Sequence, residues 1–279
     1  MNFGCLPTQF ARTRGRKLAM LVLGVMLAAG LSACKGGGGG TADTPDTPDP
    51  LALAPLPSMA NVDVVIATDH TLPDHYGESS AGAEGRERDY IDPAAEVFAE
   101  QLRARNLVVH IAKVEARLVS GKIEDKAQFD TAYTSYDALL TAAVNAGSTI
   151  VALHFDADRL PPTATLEEAS YVGGAQIIVD GRATSEATLA LTERLLHQDR
   201  LLEQLANDGF RLRPGYETQL RVQDNLTLLI AGESSGGGFL LELAPQQQAR
   251  EQFGSPANIA LALTPALSLL ADAIADFRG

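Results

Sequence analysis

His70, His154 and Glu242 stand at positions where their types could do chemistry. His70 comes directly after Asp69, at the end of an apolar, β-branched run, Val62-Asp-Val-Val-Ile-Ala-Thr68. His154 follows a second such run, Thr149-Ile-Val-Ala-Leu153, within Ala-Leu-His-Phe-Asp-Ala. Glu242 is embedded in Gly-Phe-Leu-Leu-Glu-Leu-Ala, and a carboxylate inside an apolar strand is costly unless it has a partner or a task. Two histidines and carboxylates gathered at one sheet edge are what a catalytic zinc requires, because it takes three protein ligands and keeps a fourth position for water. A further glutamate beside that water would serve as general base. The remaining histidines carry less. His110 falls inside an expected strand and His197 near a helix end, where a cation complements the dipole; both are read as structural. His75, in the loop after His70, stays open between the two readings.

These residues need elements to position them, and the chain supplies an alternation. Strands are expected over 62–68, 107–112, 149–153, 174–179, 226–231 and 238–243 from short apolar runs bounded by turn residues. A polar loop over 69–90, with Gly77, Gly82 and Gly85, separates the first strand from a helix. That helix is expected to begin at Asp92-Pro93, with Asp as N-cap and Pro in the first turn. Ala94, Val97, Phe98 and Leu102 carry its apolar stripe, and Asn106 ends it. Further helices are expected over 129–146, closed by Gly147, and over 185–207, interrupted near Gln198-Asp199 with Gly209 past its end. A last helix is expected over 259–277, where Pro265 marks either a kink or a new start. Strands separated by helices imply a three-layer α/β fold, a mostly parallel sheet with helices on both faces. In such sheets ligands bind at the carboxyl ends of the strands, which is where His70 and His154 stand.

The segment ahead of this domain has a different composition. Arg12, Arg14, Arg16 and Lys17 form a basic stretch with no acid before Cys34, and an apolar run over 18–31 follows. The run is shorter than the roughly 18–20 residues of a spanning helix and has the layout of a signal peptide. It ends in Leu31-Ser32-Ala33-Cys34, which resembles a lipobox, the motif whose cysteine is lipidated and becomes the first residue of the mature chain. Residues 1–33 are therefore expected to be a lipoprotein signal peptide, with a membrane anchor on Cys34. Residues 34–60, with Gly36–Gly40 and the Thr-Pro-Asp repeats, read as a flexible tether. Residues 61–279 form the domain, long enough for one full core. Lys35 after the lipidated cysteine resembles outer-membrane sorting, so the expected location is the cell envelope, on the outer membrane facing the periplasm.

Composition excludes several functions. The only cysteines are Cys5 and Cys34, so the domain has neither a disulfide framework nor thiol chemistry. Without the four basic residues of the signal, 18 of the chain's 22 remain against 35 acids, a net charge of −17. That argues against nucleic acid or anionic lipid as the main partner. The absence of tryptophan argues against a large sugar-stacking platform.

The order of motifs resembles the zinc-dependent N-acetylmuramoyl-L-alanine amidases that trim peptidoglycan. That family has a strand ending in a Gly-His-Gly-Gly-like turn, a Glu opening a helix, a strand ending in Ser-Ile-His-Ala-Asn, and a late strand carrying Val-Glu. The counterparts here are Thr-Asp-His70-Thr, the Glu-rich loop before the first helix, Ala-Leu-His154-Phe-Asp-Ala, and Leu-Leu-Glu242-Leu. Gly-Gly-Ala-Gln-Ile-Ile-Val, Ser-Glu-Ala-Thr-Leu-Ala-Leu and Asn225-Leu-Thr-Leu-Leu resemble, in order, a strand, the helix after it, and the strand before the catalytic one. The resemblance spans nearly all of residues 62–277. It implies zinc (Zn2+) held by His70, His154 and a glutamate, with Glu242 as the acid/base. Setting Phe98, Leu102 and Asn106 against the family's helix places Glu87 at the third ligand; Glu84 and Glu78 are the alternatives. The departures are Thr71-Leu72-Pro73 in place of the glycines after the first histidine, Asp156 where Asn is common, and a 115–130 loop without the family's Arg-rich pattern. The expected function is hydrolysis of the amide between N-acetylmuramic acid and L-alanine of peptidoglycan, with an activator protein as a further partner class. The alternatives are a non-catalytic envelope lipoprotein that binds peptidoglycan or a protein through the same cleft, and a deacylase of small N-acyl amino acids.

Overall fold

A computed structural model of the chain describes residues 49–69, 87–120, 123–157 and 172–279. They belong to one compact unit, Thr47–Gly279. The expected signal peptide, Cys34, most of the tether, His70, His75, Glu78 and Glu84 lie outside the described residues.

Among the described residues six strands form one sheet: β1 (Val64–Thr68), β2 (Val109–Lys113), β3 (Thr149–Asp156), β4 (Gln176–Val179), β5 (Arg221–Val222) and β6 (Gly238–Pro245), in the order β2-β1-β3-β6-β4-β5. β2, β1, β3 and β6 run parallel, as expected of strands joined by helical crossovers. β4 is antiparallel to β6, and β5 follows β4. The carboxyl ends of β1, β3 and β6 therefore share an edge with the amino ends of β4 and β5.

Helices cover both faces, giving the three-layer α/β architecture. They are α1 (Glu87–Arg103), α2 (Lys126–Asn145), α3 (Glu186–His197), α4 (Leu201–Asn207), α5 (Leu226–Ala231), α6 (Gln246–Phe253), α7 (Pro256–Ala262) and α8 (Thr264–Arg278). Alternation along the strands sorts side chains into two cores. Val64, Ile66, Val151, Leu153, Phe155, Phe239 and Leu241 pack beneath α1, α3, α4, α7 and α8. Val65, Ala67, Ile150, Ala152, Ile178 and Leu240 pack beneath α2 and α5. Following the second set one step further along each strand leads to Asp69, His154, Glu242 and Gln176.

Several expectations change. Residues 226–231 form helix α5 rather than a strand. Asn225 caps it by accepting from Leu228 N, and Thr227, Leu228 and Ala231 are buried while Leu226 is exposed. A six-residue apolar run does not distinguish the two states by periodicity. The counterpart assigned to the strand before the catalytic one is thus a helix. α1 begins at Glu87, five residues before the expected N-cap, and carries Pro93 in its interior. Burial of Tyr90 and Ile91 draws the extra turn in, with the Tyr90 ring 5.5 Å from that of Phe155. His154 lies within β3, which runs on to Asp156. Pro265 opens a new helix, α8. The helix expected over 185–207 is interrupted, as α3 and α4, with Arg200 in the left-handed region at φ 57° between them.

Residues 49–60, the described part of the expected tether, make contacts with the domain. Ala54 N donates to Arg117 O at 2.8 Å, Val119 N to Ala52 O at 2.9 Å, and Arg117 Nη2 to Ala54 O at 2.6 Å. Met59 is buried in the second core. Residues 49–60 are therefore a strap on the domain, held by these bonds and by buried Met59, while Leu51, Leu53 and Leu56 stay exposed.

Candidate active site

The site begins with a row across the sheet. His154 and Glu242 are paired in register between β3 and β6, and Glu242 and Gln176 between β6 and β4. Paired residues of neighbouring strands point to one face, so imidazole, carboxyl and carboxamide lie side by side. Asp69 directly follows β1, and Asp156 ends β3 just beyond an irregularity in the β3–β6 register.

His154 is buried, with a carboxylate at each ring nitrogen. Nδ1 lies 3.2 Å from Glu87 Oε1 and Nε2 lies 2.8 Å from Asp69 Oδ1. Burial alone would push the imidazole pKa down; Asp69 and Glu87 outweigh it and hold the pKa well above the ordinary value. Glu87 is the first residue of α1, where a carboxylate suits the positive end of the helix. Its Oε1 accepts from Phe155 N at 3.0 Å, which fixes it against β3. Asp69 is held on its other side: Thr227 Oγ1, in the first turn of α5, donates to Oδ2 at 2.6 Å. Tyr133 of α2 donates to the Asp69 carbonyl at 3.2 Å.

Glu242 is placed differently. Its Oε2 is sequestered and has no hydrogen-bond partner among the described residues. Burial raises its pKa well above the ordinary value; His154 opposes the rise, Asp156 and Glu87 add to it, and Arg221 opposes it. A buried carboxyl with a raised pKa and no fixed partner on one oxygen is suited to exchanging a proton.

β4 and β5 close the row with cations and amides. Asp156 Oδ2 accepts from Gly174 N at 3.0 Å, Gln176 Nε2 at 3.4 Å and Arg213 Nη1 at 3.2 Å. Arg213 is positioned by two backbone bonds around Ala175: Ala175 N donates to Arg211 O at 2.8 Å and Arg213 N to Ala175 O at 3.0 Å. Arg221 Nη1 donates to Gln176 Oε1 at 3.5 Å. Both guanidinium groups lie 5.9 Å from the centroid of the Tyr216 ring.

Of the expected site residues, the fold brings Glu87, His154 and Glu242 together, and His70 lies outside the described residues. Among the described residues no group of three His, Cys, Asp or Glu side chains is arranged to hold a metal ion. The donors match zinc in kind: the His154 imidazole lies between the carboxylates of Asp69 and Glu87, and the surrounding acids give the site a surplus of negative charge. His110 lies on the edge strand β2, where burial lowers its pKa, and His197 Nε2 lies 3.1 Å from Glu193 on the surface of α3. Sequence reasoning missed Asp69 as a partner of His154, and Gln176, Arg213 and Arg221 altogether. Only the clustering of Arg211, Arg213 and Arg221 in an acidic chain signals the last two.

No family model matches the chain, and no curated protein does. The chain is similar in fold to solved amidase structures. The apo form of the N-acetylmuramyl-L-alanine amidase Ami1 from Mycobacterium abscessus matches at 14% identity over 78% of this chain and 99% of that one, TM-score 0.46. The CwlD amidase from Clostridioides difficile, in complex with the GerS lipoprotein, matches at 14% over 75% and 98%, TM-score 0.46. The N-acetylmuramoyl-L-alanine amidase AmiC2 of Nostoc punctiforme matches at 15% over 77% and 94%, TM-score 0.39.

Proposed function

We propose that the chain is a zinc-dependent amide hydrolase of the cell envelope, cutting between N-acetylmuramic acid and L-alanine of peptidoglycan. The observation that carries this reading is the row of His154 and Glu242 at the carboxyl end of the sheet, with Glu87 on the imidazole and one Glu242 oxygen left without a partner. The order of sequence motifs supports it. His70, Glu87 and His154 would hold the zinc, which when bound supplies carbonyl polarisation and stabilises the tetrahedral oxyanion.

The remaining work falls to the chain's own groups. Glu242 takes a proton from the attacking water as its oxygen bonds to the carbonyl carbon. It returns that proton to the amide nitrogen as the carbon–nitrogen bond breaks, so the peptide leaves as a neutral amine. Asp69 and the Phe155 amide keep His154 and Glu87 from turning away. A lipid on Cys34 would hold the domain at the membrane, within reach of its polymer.

One contact favours the alternative of a non-catalytic binder. Asp69 occupies the face of His154 opposite Glu87, so both imidazole nitrogens have carboxylate neighbours. The zinc-supplied chain should release free peptide amino groups from purified peptidoglycan with the glycan strands intact, and a chelator should stop the release. If the zinc-bound chain releases none, the binder reading takes its place.

A further inference from the structure

Among the described residues Arg221 is a guanidinium at the site that forms no ion pair with an acid. Among the described residues its polar contact is the long one to Gln176 Oε1, at 3.5 Å, and its ring contact is Tyr216. Arg213, by contrast, is bonded to Asp156. Arg221 acts on Glu242 only through its charge: no hydrogen bond joins the two among the described residues, and Glu242 Oε2 has no partner. A guanidinium has five N–H donors in a planar fork suited to a carboxylate. Here most of that fork is unused, on a half-buried side chain at the open edge of the row.

Its position says which part of a substrate it meets. Arg221 is in register with Ile178, and its side chain reaches back over Gln176, the neighbour of Glu242. Neighbouring strands are about 4.8 Å apart, so the guanidinium stands on the order of one residue's length from the proton-transferring carboxyl. Glu242 must face the leaving amine. In the substrate of the proposed cleavage the sugar half's lactyl carboxyl is tied up in the scissile amide, whereas the peptide half carries free carboxylates. We infer that Arg221 binds a carboxylate of the substrate's peptide half, within one or two residues of the scissile amide, and so selects peptides with a free acid there over their amides. The inference rests on the amide-hydrolase reading for the placing of the peptide.

The test uses two N-acetylmuramoyl dipeptides that differ only in whether the second residue carries a free carboxylate or its carboxamide. Binding to the zinc-supplied Glu242→Gln chain, which prevents turnover, is measured by calorimetry with and without Arg221→Gln. A charge-assisted bidentate pair is worth at least about tenfold in affinity. The free acid should bind tighter by that factor, and Arg221→Gln should make the two probes equal. Arg221→Lys, which keeps the charge but not the fork, should retain only part of the preference and serves if the Gln variant does not fold. Equal binding by the parent, binding of neither probe at millimolar concentration, or a preference that survives both Arg221 variants overturns the inference. If the preference depends on Arg221 but the chain with Glu242 intact hydrolyses neither probe, the hydrolase reading fails and the carboxylate site stands.

Discussion

A histidine between two carboxylates, sequestered from water, is poised either to bind a cation or to become one itself. His154 is in that position between Glu87 and Asp69. If it and His70 are zinc ligands, the chain should bind one zinc, and His70→Ala or His154→Ala should each remove most of it, since two remaining ligands hold zinc poorly. Metal content after gel filtration reads this directly, and full occupancy in both variants would exclude the assignment. His154 and Glu242 are legible in the sequence because each interrupts an apolar strand. Glu87 is reachable through the apolar register of α1, even though the start of that helix is misplaced by the attraction of Asp92-Pro93 as a cap. Asp69 as a partner, Gln176 and Arg221 are not legible, because their roles depend on which strands are neighbours. That order, with β4 reversed beside β6, is a tertiary fact.

Among the elements, the junction between β4 and α5 ties the end of β4 to the helix that holds Asp69. Asp180, just after β4, accepts from Arg182 Nη2 at 2.8 Å, Arg182 N at 2.7 Å and Asn225 N at 2.9 Å. Asn225 is the residue that caps α5, and α5 carries the Thr227 hydroxyl to Asp69. The Arg182 side chain first, then the backbone amides, hold the Asp180 carboxyl well below its ordinary value against the opposing effect of burial. A carboxyl depressed in the folded state contributes stability that is complete above its unfolded value of about 4 and fades as pH falls through the lower folded value. Asp180→Asn should therefore lower Tm at pH 7, with the gap to wild type narrowing as pH drops below about 4. A gap independent of pH would show that shape rather than charge matters there. The same junction explains the misreading of residues 226–231. The N-cap at Asn225 and the close seating of α5 on β6 decide the helix, and Gly238 permits that seating. A Cβ at Gly238 would lie 2.0 Å from Ala231 O. The sequence shows the Gly236–Gly238 run but not which backbone it admits.

At the scale of the whole molecule, the layered architecture follows from alternation of strand and helix and from apolar strands buried on both faces, so it is legible without coordinates. The edge of the domain is not. Residues 49–60 have the composition of a linker, yet Arg117 and the second core hold them on the surface. Arg221 lies at one end of the row that begins at His154, and that row carries the proposed chemistry. The most direct measurement compares the zinc-supplied wild-type chain with Glu242→Gln for release of peptide amino groups from peptidoglycan, with metal content measured on the same samples. The substitution keeps the shape of the side chain and leaves Glu87 and His154 in place, but removes proton transfer. The account predicts comparable zinc in both and a loss of turnover of at least about 100-fold in the variant. Equal turnover at equal zinc would contradict it.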